Sequence, residues 1–316
     1  MFKSLGRLTA LGLLALLALG AVTTATAGDL QGEIEKVGET YARAYLAPFM
    51  YSFGPNLNSG IFHTAAIPKS RLTLDFGVKA MATQLNDADK AFQKTMTVDD
   101  LGDYSNDPAL QGVPGDIVMS GPTVFGNEDA EGSITGYVNG VQVFNNTTIA
   151  GLISSSYSPM AVPQASLGGI AGLRLTVRYL PEIDAGDVGK VKLSGFGGSW
   201  NANSVMPTLP VEVMVGYFKQ SFSVGTLVDA EATSMYVAAS RSFSVLTLYG
   251  GYAKESSEMT IAYAPDDGSA GVSFTVDDGQ ESRLTVGATL NVLAKLNIEM
   301  GHGDLTTYTA GLLFGF

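Results

Sequence analysis

The chain has 316 residues, 15% charged and 46% apolar, with 38 Gly, one Trp, two His, no Cys and a formal net charge of −12. An average soluble domain is about 25% charged. The acidic balance excludes the basic footprint that nucleic-acid phosphates need, the lack of Cys excludes disulfide frameworks, Cys-ligated zinc and Cys nucleophiles, and the apolar content argues against disorder.

Residues 1–27 read as a cleaved secretory signal. Lys3 and Arg7 form the basic start, Leu8 to Val22 is uncharged and apolar, and Ala25-Thr26-Ala27 is a small-x-small cleavage site before Gly28. The alternative, a membrane anchor, needs about 20 apolar residues. Removing Lys3 and Arg7 from the 18 basic residues leaves 16 against 30 acidic ones.

Residues 28–60 form an N-terminal unit. A helix is expected over 29–50, with Asp29 as N-cap and Ile34, Val37, Tyr41, Ala44 and Phe49 at roughly helical spacing. Pro48 is expected to end or kink it, and Gly54 to Gly60 is a turn cluster. The apolar face needs a partner, so the unit is a candidate lumen plug or else a mobile periplasmic segment.

Downstream, across 61–316, the period changes to 2. Leu72, Leu74, Phe76 and Val78 alternate with Arg71, Thr73, Asp75 and Lys79, a strong strand signal. Residues 84–165 are rich in Asp, Asn, Gly, Ser and Pro and read as long loops, with weak strand candidates near 116–125 and 134–144. From 170 onward the alternation is nearly continuous, through Leu173/Leu175/Val177/Tyr179, Val211/Val213/Val215/Tyr217, Leu284/Val286/Ala288/Leu290 and Leu296/Ile298/Met300. Asp266-Asp267-Gly268 and Asp277-Asp278-Gly279 read as hairpin turns rather than calcium ligands, so 257–281 is a candidate hairpin extension beyond the main spans.

Alternation alone does not tell inside from outside. A soluble β-protein points its apolar face inward, whereas an outer-membrane barrel points it toward lipid. The second faces here are Gly- and Thr-rich with little charge, and Tyr179, Tyr217, Tyr252, Tyr263 and Tyr308 stand near strand ends, as an interfacial girdle requires. The expectation is therefore an all-β transmembrane antiparallel barrel of about 14 strands, range about 12–16, in the outer membrane of a Gram-negative-type bacterium.

Two resemblances sharpen this. The last segment, Thr307 to Phe316, resembles the C-terminal signal of bacterial outer-membrane barrel proteins through Tyr308, Leu312, Phe314 and Phe316. That resemblance implies recognition by the barrel-assembly machinery and outer-membrane lipids as surroundings. The mature chain also resembles an uncharacterised FadL-like group, through its N-terminal helix, the turn before His63-Thr64-Ala65, and Val177-Arg178-Tyr179-Leu180-Pro181. This implies a plugged barrel and passage of hydrophobic molecules.

Arg174, Arg178, Lys190 and Lys192 are expected to face the lumen, where they would attract an anionic solute or pair internally with Asp75, Glu212 and Glu299. Catalysis is not expected. His63 and His302 are the two His, no Gly-x-Ser-x-Gly elbow occurs, and Gly301-His302-Gly303-Asp304 reads as a turn. No cofactor, metal or nucleic acid is expected. The favoured role is a passive channel or transporter for small hydrophobic molecules; the alternative is a non-transporting structural or surface-interaction barrel using the 84–165 loops.

Overall fold

A computed structural model describes residues 29–184, 190–263, 272–277 and 279–315, with only the backbone of 29–36 and Tyr263. The signal-like segment, Asp266-Asp267-Gly268, Asp278 and Phe316 lie outside the described residues. Helix α1 (Asp29–Leu57) is followed by β1 (Thr73–Gln84), β2 (Ala91–Val98), β3 (Gly115–Pro122), β4 (Ser133–Val138), β5 (Val141–Thr147), β6 (Tyr157–Ile170) and β7 (Leu173–Asp184). Then come β8 (Lys190–Asn201), β9 (Glu212–Val224), β10 (Val228–Phe243), β11 (Leu246–Tyr263), β12 (Val272–Asp277), β13 (Ser282–Asn291), β14 (Lys295–His302) and β15 (Thr306–Gly315).

Ten of these strands close a barrel. Neighbours run β10-β9-β8-β7-β6-β1-β15-β14-β13-β11, and β10 pairs with β11 to seal the ring. Every pairing is antiparallel. The expected count of about 14 is corrected here, for two physical reasons. First, β13 pairs with β11 only over Leu246–Lys254, and β12 takes the outer stretch Glu258–Tyr263. Glu258–Tyr263 and Val272–Asp277 thus pair with each other outside the ten-strand ring, as the expected hairpin extension would. Second, the region read as loops holds a separate four-stranded sheet, β2-β3-β4-β5.

The two barrel ends differ. Ala171-Gly172 and Ser244-Val245 make two-residue turns at the end where β1 begins and β15 finishes, which also carries the longer connection 202–211; Ala171, Gly172 and Ser244 take positive φ there. The opposite end carries the insertion 85–156 between β1 and β6 and the β11–β12 hairpin.

Outward positions along the wall are apolar and exposed: Phe76 and Val78 on β1, Leu175 and Val177 on β7, Val286 on β13, Ile298 on β14. Inward positions are buried and largely polar: Asp75, Lys79 and Thr83 on β1, Arg174, Thr176 and Arg178 on β7, Asn297 and Glu299 on β14. This is the reverse of a soluble sandwich.

The insertion obeys the opposite rule. Val98, Leu101, Leu110, Ile117, Met119, Val124, Phe125, Ile134 and Val138 are buried together, closed on one side by Val37, Tyr41 and Tyr45 of α1. Burial raises the pKa of the Tyr41 and Tyr45 hydroxyls, so both remain neutral donors. They bond Thr148 Oγ1 at 2.9 Å and the Ala150 carbonyl at 3.1 Å.

Helix α1 does not stop at Pro48. It runs through Pro48 and Pro55 to Leu57, although an interior proline removes a helix hydrogen bond. Tertiary contacts override the break. Its first half packs on the insertion, and Met50, Phe53 and Leu57 enter the barrel against Met81, Val162, Leu193 and Met259. Among the described residues no helix is long and apolar enough to cross a membrane.

Candidate functional site: the occupied lumen

The barrel interior is filled by its own chain. After α1, residues 58–67 continue through the lumen toward the short-turn end, where residues 69–72 lead into β1. Ile61, Phe62, Ala65 and Ile67 pack with Met214, Phe218, Tyr236 and Tyr249 of the wall. The chain therefore threads the barrel from the insertion end to the short-turn end.

Wall side chains grip this segment through its backbone. Arg178 donates to the carbonyls of Leu57 at 2.6 Å and Ser59 at 2.5 Å. Arg174 donates to those of Thr64 at 3.0 Å and Ala66 at 2.7 Å. Gln164 donates to Ile61, Thr289 to His63 and Asn201 to Ala65, at 3.1, 2.8 and 2.8 Å. In return the Gly60 N–H donates to Glu299 at 3.0 Å, and the Ala65 N–H to Ser240 Oγ at 3.0 Å. A segment without regular structure thus has many of its backbone groups bonded by the wall, as burial demands, although the buried Asn58 side-chain amide has no partner among the described residues.

Gly60 is required at the tightest point. Its φ is +67°, and a Cβ there would meet Thr309 Cγ2 at 2.9 Å. A larger residue would be strained in its backbone and would push the segment off β15.

The charges sort into two kinds. Arg283 and Glu255 form a buried ion pair at 2.6 Å. Lys295 pairs with Asp75, whose other carboxylate oxygen lies 3.6 Å from His63 Nε2. Arg174, Arg178 and Lys79 have no ion pair among the described residues. Arg178 also bonds Gln164 at 2.9 Å and lies 5.4 Å from the Phe218 ring centre; Lys79 donates to Asn297 Oδ1. Glu299 accepts from the Tyr249 hydroxyl at 2.9 Å. Two buried arginines thus direct most of their donors to the threaded segment.

The expected lumen set divides accordingly. Arg174, Arg178, Asp75 and Glu299 come together in the interior. Glu212 sits at the short-turn rim and accepts from Asn201 at 2.7 Å. Lys190 and Lys192 do not join them: both are exposed at the start of β8, on the face of Phe196, and Lys190 pairs with Glu182 at 2.7 Å. Sequence reasoning missed Lys79, Gln164, Gln220, Arg283 and Asn297. Lys79 shares the inward parity of Asp75, and that parity was the available signal.

On β15, Tyr308, Leu312 and Phe314 point outward and are exposed. Phe314 packs tilted on Phe76 and Tyr308 edge-on against Tyr157, with ring centres 6.1 and 6.5 Å apart. His302 is exposed, with Nδ1 2.9 Å from Thr306 Oγ1. Among the described residues no group of His, Asp or Glu could hold a metal ion.

A family profile described as "Family of unknown function (DUF6588)" matches residues 3–316. No curated protein matches the chain. Among solved structures, the chain is similar to a loop L8 deletion mutant of OmpT, an outer membrane protein of Vibrio cholerae, at 10% identity and TM-score 0.27, covering 78% of this chain and 99% of that one. It is similar to Salmonella typhi OmpF in complex with daunomycin at 9% and 0.25, covering 78% and 98%. A third is an anion-selective porin from Comamonas acidovorans at 13% and 0.19, covering 78% and 99%. At these scores the likeness carries no argument, and the fold rests on the chain's own geometry. The FadL-like resemblance finds no support in these matches.

Proposed function

The chain belongs to that family of unknown function, and from there we propose that it is an outer-membrane β-barrel closed by its own N-terminal segment, working as a platform that holds the 85–156 unit outside the membrane. The observation that carries this reading is the pair Arg174 and Arg178, whose guanidinium groups bond the carbonyl of Leu57 at the end of α1 and three carbonyls of the threaded segment. Withdrawing that segment would strip Arg174 of both its carbonyl partners and leave Arg178 with only the wall amides of Gln164 and Gln220, a costly state for two buried cations unless water flooded the lumen. A removable gate would not be tied in this way.

The apolar outward faces supply the lipid contact, and short turns at the end where β15 finishes fit the periplasmic side. The insertion then faces outward, carrying ten acidic residues against Lys90 and Lys94. Export by a cleaved signal, assembly through β15 and the absence of enzymatic activity belong to the same proposal.

A second reading, passage of small hydrophobic molecules, has one observation in its favour. The lumen half near the insertion is apolar, lined by Met81, Val162, Leu193, Met259 and Ile261. Yet α1 fills it, and the crevice left beside Met50, Phe53 and Gly54 has no room even for water. Osmotic swelling of proteoliposomes separates the two. The platform reading expects no entry of small sugars or amphiphiles beyond protein-free vesicles; swelling with wild-type protein would replace it by the passage reading.

A further inference from the structure

The outer wall is not uniformly convex. A groove of about 930 Å³ lies on its outward face, lined almost wholly by apolar groups. One cross-strand row of its lining follows from the register: Leu175 pairs with Gly198, Gly198 with Tyr217, Tyr217 with Met235 and Met235 with Lys254. The row crosses five strands, about 19 Å at about 4.8 Å per step. Gly198 is the dip in it. It places no side chain between Leu175 and Tyr217, and a Cβ there would meet nothing closer than 3.8 Å. The glycine is therefore not required by crowding, and its effect is to leave the space empty. Trp200, two residues along β8, lines the same groove.

The far end of the row is charged. Lys254 is exposed and lines the groove, and it makes no ion pair among the described residues. By contrast Lys219, on the neighbouring wall, is paired with Glu231 at 2.8 Å. Tyr252, two residues along β11 from Lys254, lines the groove beside it, and such a ring settles at the level of lipid headgroups. A long apolar trough ending in one free ammonium at headgroup level has the chemistry of an anionic amphiphile.

We propose that this groove is a binding site for one anionic phospholipid, with an acyl chain lying over Gly198 toward Trp200 and the phosphate at Lys254. The proposal rests on the reading that the barrel spans a membrane. A uniformly apolar wall would take any lipid, and one lysine at the trough's end makes the contact selective by about fivefold, the effect of about one basic residue near an anionic headgroup.

Trp200 is the single Trp of the chain, so its fluorescence reports the groove alone. The protein is reconstituted in phosphatidylcholine vesicles holding a small fraction of either acyl-brominated phosphatidylglycerol or acyl-brominated phosphatidylcholine, and quenching is compared. Wild type is expected to be quenched about fivefold more effectively by the anionic lipid. Lys254→Gln should bring the ratio to about one, and Gly198→Leu, filling the dip, should also abolish the preference. Equal quenching by both lipids in wild type, or a preference that survives Lys254→Gln, overturns the site while leaving the membrane barrel standing. No quenching by either lipid overturns the membrane reading, and the groove with it.

Discussion

The barrel wall and the 85–156 unit are both antiparallel β-structure with alternating side chains, and they use the alternation in opposite senses. In the wall, Val78, Leu175 and Ile298 face out while Lys79, Arg174 and Glu299 are buried. In the unit, Ile117, Met119 and Ile134 are buried, and Lys94 and Asp116 stand at the surface. The same period therefore carries two opposite burial patterns within one chain. What separates them is what occupies the enclosed side: a polar-gripped segment of backbone in the barrel, a packed apolar core in the unit. Helix α1 joins the two, with Tyr41 and Tyr45 in one and Phe53 and Leu57 in the other.

Substitutions can break this contrast, and the largest effect is expected inside the unit. Phe125 is fully buried there, so Phe125→Ala should cost about 3–5 kcal/mol. The loss should be local. Limited proteolysis should cut 85–156 quickly, while the wall keeps its heat-dependent mobility in detergent gels. Loss of both together would mean that the unit and the barrel are one cooperative body.

The wall should respond to charge on the face where the unit tolerates it. Ile298→Arg places a cation on the outward band and should destabilise the barrel by about 2–4 kcal/mol in vesicles, as charges near the bilayer midplane do. Val141, exposed on β5, should accept Arg within about 0.5 kcal/mol. Urea titration in lipid reads both, and equal costs would contradict the inverted wall.

The grip on the threaded segment comes next. Arg178→Met removes bonds to the Leu57 and Ser59 carbonyls, leaving buried acceptors at about 1–3 kcal/mol each. In a chain without native Cys, a Ser59→Cys probe should become reactive to small thiol reagents in that background and stay protected otherwise. A smaller loss is expected for Tyr45→Phe, which deletes one bond to Ala150 and should cost about 0.5–1.5 kcal/mol, seen as faster hydrogen exchange in α1.

Much of the wall was legible in the sequence because it needs little tertiary information. Period-2 alternation with Thr- and Gly-rich second faces marked β7, β9, β13, β14 and β15. The 84–165 region was not legible as a sheet. Its strands are short, and its core is completed by α1, about 50 residues or more upstream, so no local window contains the packing partner. Helix length failed for a related reason: Pro48 and Pro55 are local breakers, and only the surrounding lumen overrides them. In the site, parity identified Asp75, Arg174, Arg178 and Glu299. Lys190 and Lys192 departed because β8 turns that parity outward, with Leu193 and Gly195 facing in. That Arg174 and Arg178 would bond backbone carbonyls rather than carboxylates was invisible, since a carbonyl leaves no mark in the sequence.

The central claim is that residues 58–67 lie inside the barrel. Thr64 Oγ1 and Ser240 Oγ on β10 are 3.2 Å apart, close enough for a disulfide once both are cysteines. In a Thr64→Cys, Ser240→Cys double variant in native membranes, the account predicts spontaneous crosslinking, seen as loss of both free thiols and a mobility shift that reductant reverses. Two thiols that remain free and reactive under oxidising conditions would contradict it.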